Sequence, residues 1–142
     1  MSKSSFSLEI LSPQGTVFKD EVDSVSLPTY SGRITILPNH APLFTKLSEG
    51  EIEIKKESKI SHIVVAGGFL EIKENSAHIL SDYAVRAESI EIARAEERKR
   101  EAELKLKQKL DNKEFTIADK DLRLSILELK VAQRVKKRTR VE

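Results

Sequence analysis

The sequence predicts an α+β protein whose two structural classes are segregated along the chain. An N-terminal β-sandwich or flattened barrel covers residues 1–87, and a C-terminal antiparallel two-helix hairpin covers residues 88–142. Three observations carry this prediction. Up to about residue 87, short apolar segments alternate with polar residues at period two and are cut by turn signals at sandwich-like spacing. From Glu88 the texture changes: residues 89–110 contain no glycine or proline and are rich in Ala, Glu, Lys, Arg and Leu, all strong helix formers. Charge divides at the same place. Residues 1–87 hold nine Lys and Arg against eleven Asp and Glu, whereas residues 88–142 hold sixteen against twelve.

Taken in order, Phe6, Leu8 and Ile10 alternate with polar residues and stop at the turn signal SPQG. Val22, Val25 and Leu27 lead to Pro28, and Tyr30-Ser31-Gly32 supplies the next turn. Ile34 and Ile36 alternate up to Pro38, and Ile52 and Ile54 follow Gly50. Ile60 to Ala66 reads as a buried strand, Phe69 to Ile72 as another, and Ala77 to Leu80 as the last. The polar turns KKES and KENS separate them. Gly67-Gly68 interrupts a strand pattern, which marks a bend or bulge.

The helical half begins with SIEIARAEERKR. A helix over residues 89–110 would be about 33 Å long. Its apolar stripe is thin, made of Ala95, Ala102, Leu106 and Leu110, and EERKRE in its middle has almost no apolar face. Asp111-Asn112 offers a stop, after which Thr116 or Asp119 can cap a second helix. That helix places Leu122, Ile126 and Leu129 on one line with Leu127, Val131 and Val135 beside it. A hairpin with so thin a seam is marginal alone and leans on another surface, so it can exchange one partner for another.

Composition excludes several functions. There is no cysteine, hence no disulfide, thiolate nucleophile or thiolate zinc site. No apolar run approaches the length of a membrane span, and MSKSSFSLEI lacks a signal core, so a soluble intracellular protein is expected. His40, His62 and His78 lie far apart, without metal-ligand spacing along the chain. His62 and His78 fall in strand patterns, where an exposed or hydrogen-bonded imidazole is the ordinary state. His40, in the rigid PNHAP loop, is the one most suited to a role. Gly67-Gly68 lacks the Lys-Ser/Thr and the following helix of a phosphate loop. No catalytic residue and no metal site are therefore expected. The basic cluster KKRTR at 136–140 calls for an acidic partner. A nucleic acid is one such partner, but acidic residues interleave through 88–128 and no aromatic platform accompanies the basic ones.

Two segments go further. In PNHAPLFTKLSEGEIEI and VAGGFLEIKENSAHILSD the chain resembles the epsilon subunit of the rotary, proton-translocating F-type ATP synthases. Where that family reads approximately Gly-Ile-Leu-Pro-Gly-His-Ala-Pro-Leu, this chain has Thr35-Ile36-Leu37-Pro38-Asn39-His40-Ala41-Pro42-Leu43. Where the family reads Ser-Gly-Gly-Phe-Leu-Glu-Val, it has Ala66-Gly67-Gly68-Phe69-Leu70-Glu71-Ile72. The opening strand leading to SPQG and the sandwich-then-hairpin order match as well, so the resemblance covers essentially the whole chain.

The resemblance implies a non-catalytic rotor subunit, in which the sandwich grips the central gamma stalk and rests on the ring of membrane c subunits. Carried over, Tyr30, Ser31, Gly32 and Arg33 face the c ring, and His40, Ala41 and Pro42 lie near gamma. Many members carry a carboxylate where Arg33 stands, and Thr35 and Asn39 replace frequent glycines. The hairpin is implied to regulate: folded down it rests on the sandwich, and extended it enters the catalytic head of alpha and beta subunits and blocks hydrolysis. Arg123, Arg134, Lys136, Lys137, Arg138 and Arg140 are the residues expected to meet an acidic beta-subunit segment. The alternatives are a solvated basic terminus and a hairpin that only stabilises assembly. Some bacterial members bind ATP through an Ile/Leu-Asp-x-x-Arg-Ala motif, which here reads Ile90-Glu91-Ile92-Ala93-Arg94-Ala95 with Glu for Asp. Val85 stands where those members place a glutamate, and Glu101, Asp121, Glu128 and Ala132 stand near positions of expected arginines. A triphosphate needs concentrated positive charge. No cofactor is therefore expected, and ATP binding is expected to be absent or too weak to sense cellular levels. The implied location is the cytoplasmic face of a bacterial inner membrane, peripheral and through the complex only, with no nucleic-acid partner.

Overall fold

The computed structural model describes the backbone of residues 4–141 and the side chains of residues 4–138. The chain forms two compact units, one ending at Arg86 and one beginning at Ala87. The first unit contains eight strands: β1 (Phe6–Ser12), β2 (Gly15–Val22), β3 (Ser24–Thr29), β4 (Gly32–Ile36), β5 (Leu43–Lys56), β6 (Lys59–Lys73), β7 (Ser76–Leu80) and β8 (Ala84–Arg86). They form one continuous sheet in the order β2-β1-β7-β6-β5-β3-β4, with β8 also on β6. β1 runs parallel to β7, and the other pairings are antiparallel. Alternation puts Leu8, Ile10, Leu27, Leu47, Ile52, Ile54, Ile63, Leu70 and Ile79 inside, each buried essentially completely. Burying one such side chain is worth about 1.5–3 kcal/mol, so this common core carries the unit. The expected β-sandwich is present.

The strand boundaries differ from the sequence reading in four places. β2 begins at Gly15, well before Val22, because its buried residues Phe18 and Val22 are too sparse to show an alternation. β5 begins at Leu43 rather than after Gly50, and β8 has only three residues and escapes pattern recognition. The two segments expected on either side of Gly67-Gly68 are one strand, β6. It turns between two partners there: Ile63 to Val65 pair with β8, and Phe69 to Lys73 with β7. Both glycines have positive φ, 94° and 137°. A Cβ on Gly68 would fall 2.2 Å from the Leu80 carbonyl oxygen, so only glycine fits. Ser81 stitches the break: its Oγ lies 2.6 Å from the Gly67 carbonyl and 2.7 Å from that of Tyr83.

The second unit opens with a 3₁₀ turn at Ala87–Ser89, followed by α1 (Ile92–Leu106) and α2 (Asn112–Val141). α1 is shorter at both ends than the expected 89–110. Glu91 is extended at φ −87° and ψ 111°, and Lys107 closes the helix with its N–H on the Leu104 carbonyl. The cap of α2 is Asp111, not Thr116 or Asp119. Its Oδ1 accepts the Glu114 N–H at 2.8 Å. Thr116 instead donates to the Asn112 carbonyl within the helix.

The seam between the helices also differs from expectation. Ile126 is 45% exposed, whereas Ala118, Leu124, Ser125, Glu128, Leu129, Val131 and Ala132 are buried. Ala95 and Ala102 on α1, and Ala118, Ser125 and Ala132 on α2, recur every seven residues. Small residues at that period let two helix backbones approach closely; Ala95 and Ala102 belong to the expected stripe, whereas Ala118, Ser125 and Ala132 do not. Ser125 satisfies its buried hydroxyl on the Asp121 carbonyl at 2.8 Å. Among the described residues no helix is long and apolar enough to cross a membrane.

Candidate interaction surfaces

The β3–β4 turn presents Tyr30 and Ser31 at its tip, because Thr29 pairs with Gly32 and leaves two residues to reverse the chain. Gly32 takes φ 115°, and the Thr29 hydroxyl accepts the Ser31 N–H at 3.2 Å. Tyr30 is 70% exposed, with Lys46 Nζ 5.1 Å from its ring centroid, a cation–π contact. Arg33 folds back along its own hairpin: Nε donates to Ser26 Oγ at 3.0 Å and Nη2 to the Ser26 carbonyl at 3.2 Å.

The PNHAP loop is held by the turn between β6 and β7. Pro38 is followed by Asn39 at φ 64°, the left-handed conformation that asparagine tolerates best after glycine. The Asn39 N–H donates to Asn75 Oδ1 at 2.7 Å, and Asn75 Nδ2 donates to the Ser5 carbonyl at 2.9 Å. His40 Nδ1 lies 2.7 Å from the Ala41 carbonyl and donates to it, which folds the ring onto the loop. Ala41 and Pro42 are exposed and lead directly into β5.

Beside this loop lies a feature that the sequence reading missed. Phe44 on β5 and Phe69 on β6 are 67% and 46% exposed, and their rings stack with centroids 5.8 Å apart at 23°. Register puts Lys46 opposite Phe69, and Phe69 opposite Leu80, itself 56% exposed. Tyr30, Lys46, Phe44, Phe69 and Leu80 thus form one outward strip across three neighbouring strands and the β3–β4 turn. A crevice of about 350 Å³, bounded by Leu11, Pro13, Gly68 and Asp82, adjoins Phe69 and Leu80. A contiguous exposed apolar surface with a stacked aromatic pair is the signature of a docking face. The available signal was parity: Phe44 and Phe69 are large apolar residues at outward positions, flanked by inward Leu47 and Leu70.

The hairpin offers two charged surfaces. Of the degenerate nucleotide motif, Ile90 and Ala95 are buried, and Glu91 pairs with Arg94 at 3.3 Å on an exposed helix turn. Arg98 Nη2 lies 2.9 Å from both carboxylate oxygens of Glu128, whose side chain is 2% exposed. The neighbouring crevice, lined by Arg98, Glu101, Lys105, Asp121 and Ser125, measures about 110 Å³. Ligand pockets run from about 300 Å³ upward. On another part of the hairpin, a groove of about 710 Å³ brings Arg134 and Lys137 together with Lys99, Arg100 and Lys130, against Glu96 and Glu103. Lys99, Arg100 and Lys130 were not expected there: Lys99 and Arg100 on α1 meet Arg134 only through the antiparallel fold, and Lys130 stands one turn before it on α2. Arg123 is tied to Asp119 at 3.3 Å within α2. Lys136 and Arg138 are exposed, and the side chain of Arg140 lies outside the described residues.

Residues 5–87 match the family model described as ATP synthase, Delta/Epsilon chain, beta-sandwich domain. An ATP synthase epsilon chain of Pelotomaculum thermopropionicum is 43% identical over 109 residues, covering 77% of this chain and 81% of the relative. An ATP synthase epsilon chain of Dehalococcoides mccartyi is 39% identical over 135 residues, covering 94% and 96%. Among solved structures, the fold is similar to a chain in the Euglena gracilis mitochondrial ATP synthase, OSCP/F1/c-ring, with a TM-score of 0.74 and 22% identity over 92% of this chain and 81% of that one. It is also similar to a chain in the central stalk/c-ring of the Tetrahymena thermophila enzyme, with a TM-score of 0.65 and 14% identity over 93% and 99%. At those identities the structural likeness is one of fold.

Proposed function

The chain belongs to the ATP synthase epsilon chain family, and from that membership we propose a non-catalytic central-stalk subunit that couples rotation to ATP synthesis and restrains hydrolysis through its hairpin. The observation that carries the docking role is the Phe44–Phe69 stack on the outward face beside the PNHAP loop. That face is proposed to meet gamma, and Tyr30 to Arg33 at the neighbouring turn are the proposed contacts to the c ring. Membrane association follows from that complex, at the cytoplasmic face in a bacterial setting.

The proposed inhibitory contact is the basic hairpin groove around Lys99, Arg100, Lys130, Arg134 and Lys137, which suits an acidic segment of the beta subunits. Arg123, Lys136, Arg138 and Arg140 extend the same positive helix. A hairpin joined by alanine and serine rather than a broad apolar seam gains little from its own packing, so other contacts bias its state. We further propose that it does not sense ATP. Arg94 and Arg98 are both engaged with carboxylates, and the crevice beside Arg98 is far too small for a nucleotide.

Co-purification with the gamma subunit of the same synthase tests the docking role. The native chain is expected to bind, and the double variant F44S/F69S is expected to bind at least about tenfold more weakly with its thermal midpoint retained. A native chain that fails to bind gamma but is held on DNA or heparin in a salt-sensitive manner would replace this proposal with a nucleic-acid role.

A further inference from the structure

We propose that Glu51, Glu53 and His62 form a site for a first-row divalent metal ion of the zinc class. Glu51 and Glu53 are two residues apart on β5, so both point away from the sandwich core that receives Ile52 and Ile54. His62 on β6 is the cross-strand partner of Glu53, which puts the imidazole on the same face. One ligand atom from each of the three lies within 4.8 Å of the other two. The chain gives no hint of this by spacing: the residues come together only through the β5–β6 register.

The state of His62 points to a ligand. The residue is 6% exposed, and its Nδ1 is buried without a hydrogen-bond partner among the described residues. Glu51 Oε2 approaches this nitrogen to 3.3 Å, a distance typical of an ion pair but out of line for a hydrogen bond. A buried polar nitrogen left in that condition carries a desolvation cost, which coordination removes. A tetrahedral ion with bonds of about 2.1 Å holds its ligands about 3.4 Å apart. The present separations, within 4.8 Å, exceed this by about 1.4 Å at most, a gap on the scale of side-chain movement. The two carboxylates match the charge of a divalent ion, and a mixed nitrogen and oxygen donor set selects zinc and its first-row neighbours over magnesium or calcium. Three protein ligands leave a fourth position for water.

The test uses the intact chain after treatment with a chelator, titrated calorimetrically with zinc chloride and, separately, with magnesium chloride. One equivalent of zinc is expected to bind, magnesium is not, and zinc raises the thermal midpoint. E53Q, at a half-buried position, and H62Q are each expected to weaken zinc binding at least about tenfold, the loss usual even for residues that only support a metal ligand. H78Q leaves binding unchanged. Should H62Q not fold, E53Q decides alone. No zinc binding by the native chain, or binding that E53Q leaves intact, overturns the site. The second result would mean that Glu51 and Glu53 simply flank the imidazole without sharing an ion with it.

Discussion

Arg98 and Glu128, thirty residues apart, meet between the two helices of the hairpin, with one guanidinium nitrogen 2.9 Å from both carboxylate oxygens. Glu128 is almost fully buried while the Arg98 side chain keeps 43% exposure. Deleting the arginine therefore weakens the compensation of a buried charge, whereas neutralising the glutamate removes the charge itself. R98A is expected to cost the hairpin about 1–2 kcal/mol, discounted for the exposed arginine, and E128Q less. Urea-induced loss of helical circular dichroism measures both. Equal costs would mean that the carboxylate is held equally well without Arg98.

Gly68 is expected to be the least replaceable residue of the sheet. In G68A the new Cβ meets the Leu80 carbonyl at 2.2 Å in a backbone with φ 137°. A loss of at least about 2 kcal/mol is expected, seen as a lowered denaturation midpoint. A near-neutral G68A would mean that the β6 bend relaxes freely.

Asp20 and Lys56 join β2 to the end of β5 at 2.8 Å. Their mutual hydrogen bond, followed by the Glu21 N–H on Asp20, holds the Asp20 carboxyl below its ordinary value and the Lys56 ammonium above its own. The lowered carboxyl contributes stability above its unfolded pKa, and this is lost as pH falls through the folded value. The raised ammonium contributes below its unfolded pKa, and this is lost as pH rises through the folded value. K56A is thus expected to lower the thermal midpoint slightly near neutrality, with the difference from the native chain closing in acid and in strong alkali. Because both groups are exposed, salt shrinks the effect. A difference that persists below the carboxylate range would assign it to lost packing of the lysine stem.

Calorimetric titration with magnesium-ATP is expected to give no saturable heat up to about 1 mM. Micromolar affinity would show that Glu91 replaces the family aspartate and that Arg94 and Arg98 give up their carboxylates for phosphate.

Legibility in the sequence followed the physics of each element. The sandwich core was readable because Phe6, Leu8, Ile10, Ile52 and Ile54 alternate in and out, and period two is visible wherever inward residues are large. β2 was lost because Lys19-Asp20-Glu21 separates its two inward residues, and β8 because three residues make no pattern. The helical hairpin was readable from composition, and so was the α1 side of its seam at Ala95 and Ala102, but the α2 side was not. On α2 the large apolar residues outweigh Ala118, Ser125 and Ala132 in any hydropathy pattern, which points to Ile126, yet Ser125 and Glu128 are the buried ones. The turn at Tyr30 to Arg33 and the PNHAP loop were singled out by motif. Their neighbours Phe44, Phe69 and Leu80 emerge only when register brings three strands side by side. The basic groove likewise needs both helices, since Lys99 and Arg134 are unrelated along the chain.

The inhibitory role of the hairpin is tested most directly by ATP hydrolysis of the reconstituted catalytic head and gamma stalk, with either the full chain or a chain ending at Arg86, where the first unit ends. The full chain is expected to hold hydrolysis severalfold below the level reached with the shortened one, while both still bind gamma. Equal hydrolysis rates with both chains bound would contradict inhibition and leave the hairpin a stabiliser of assembly.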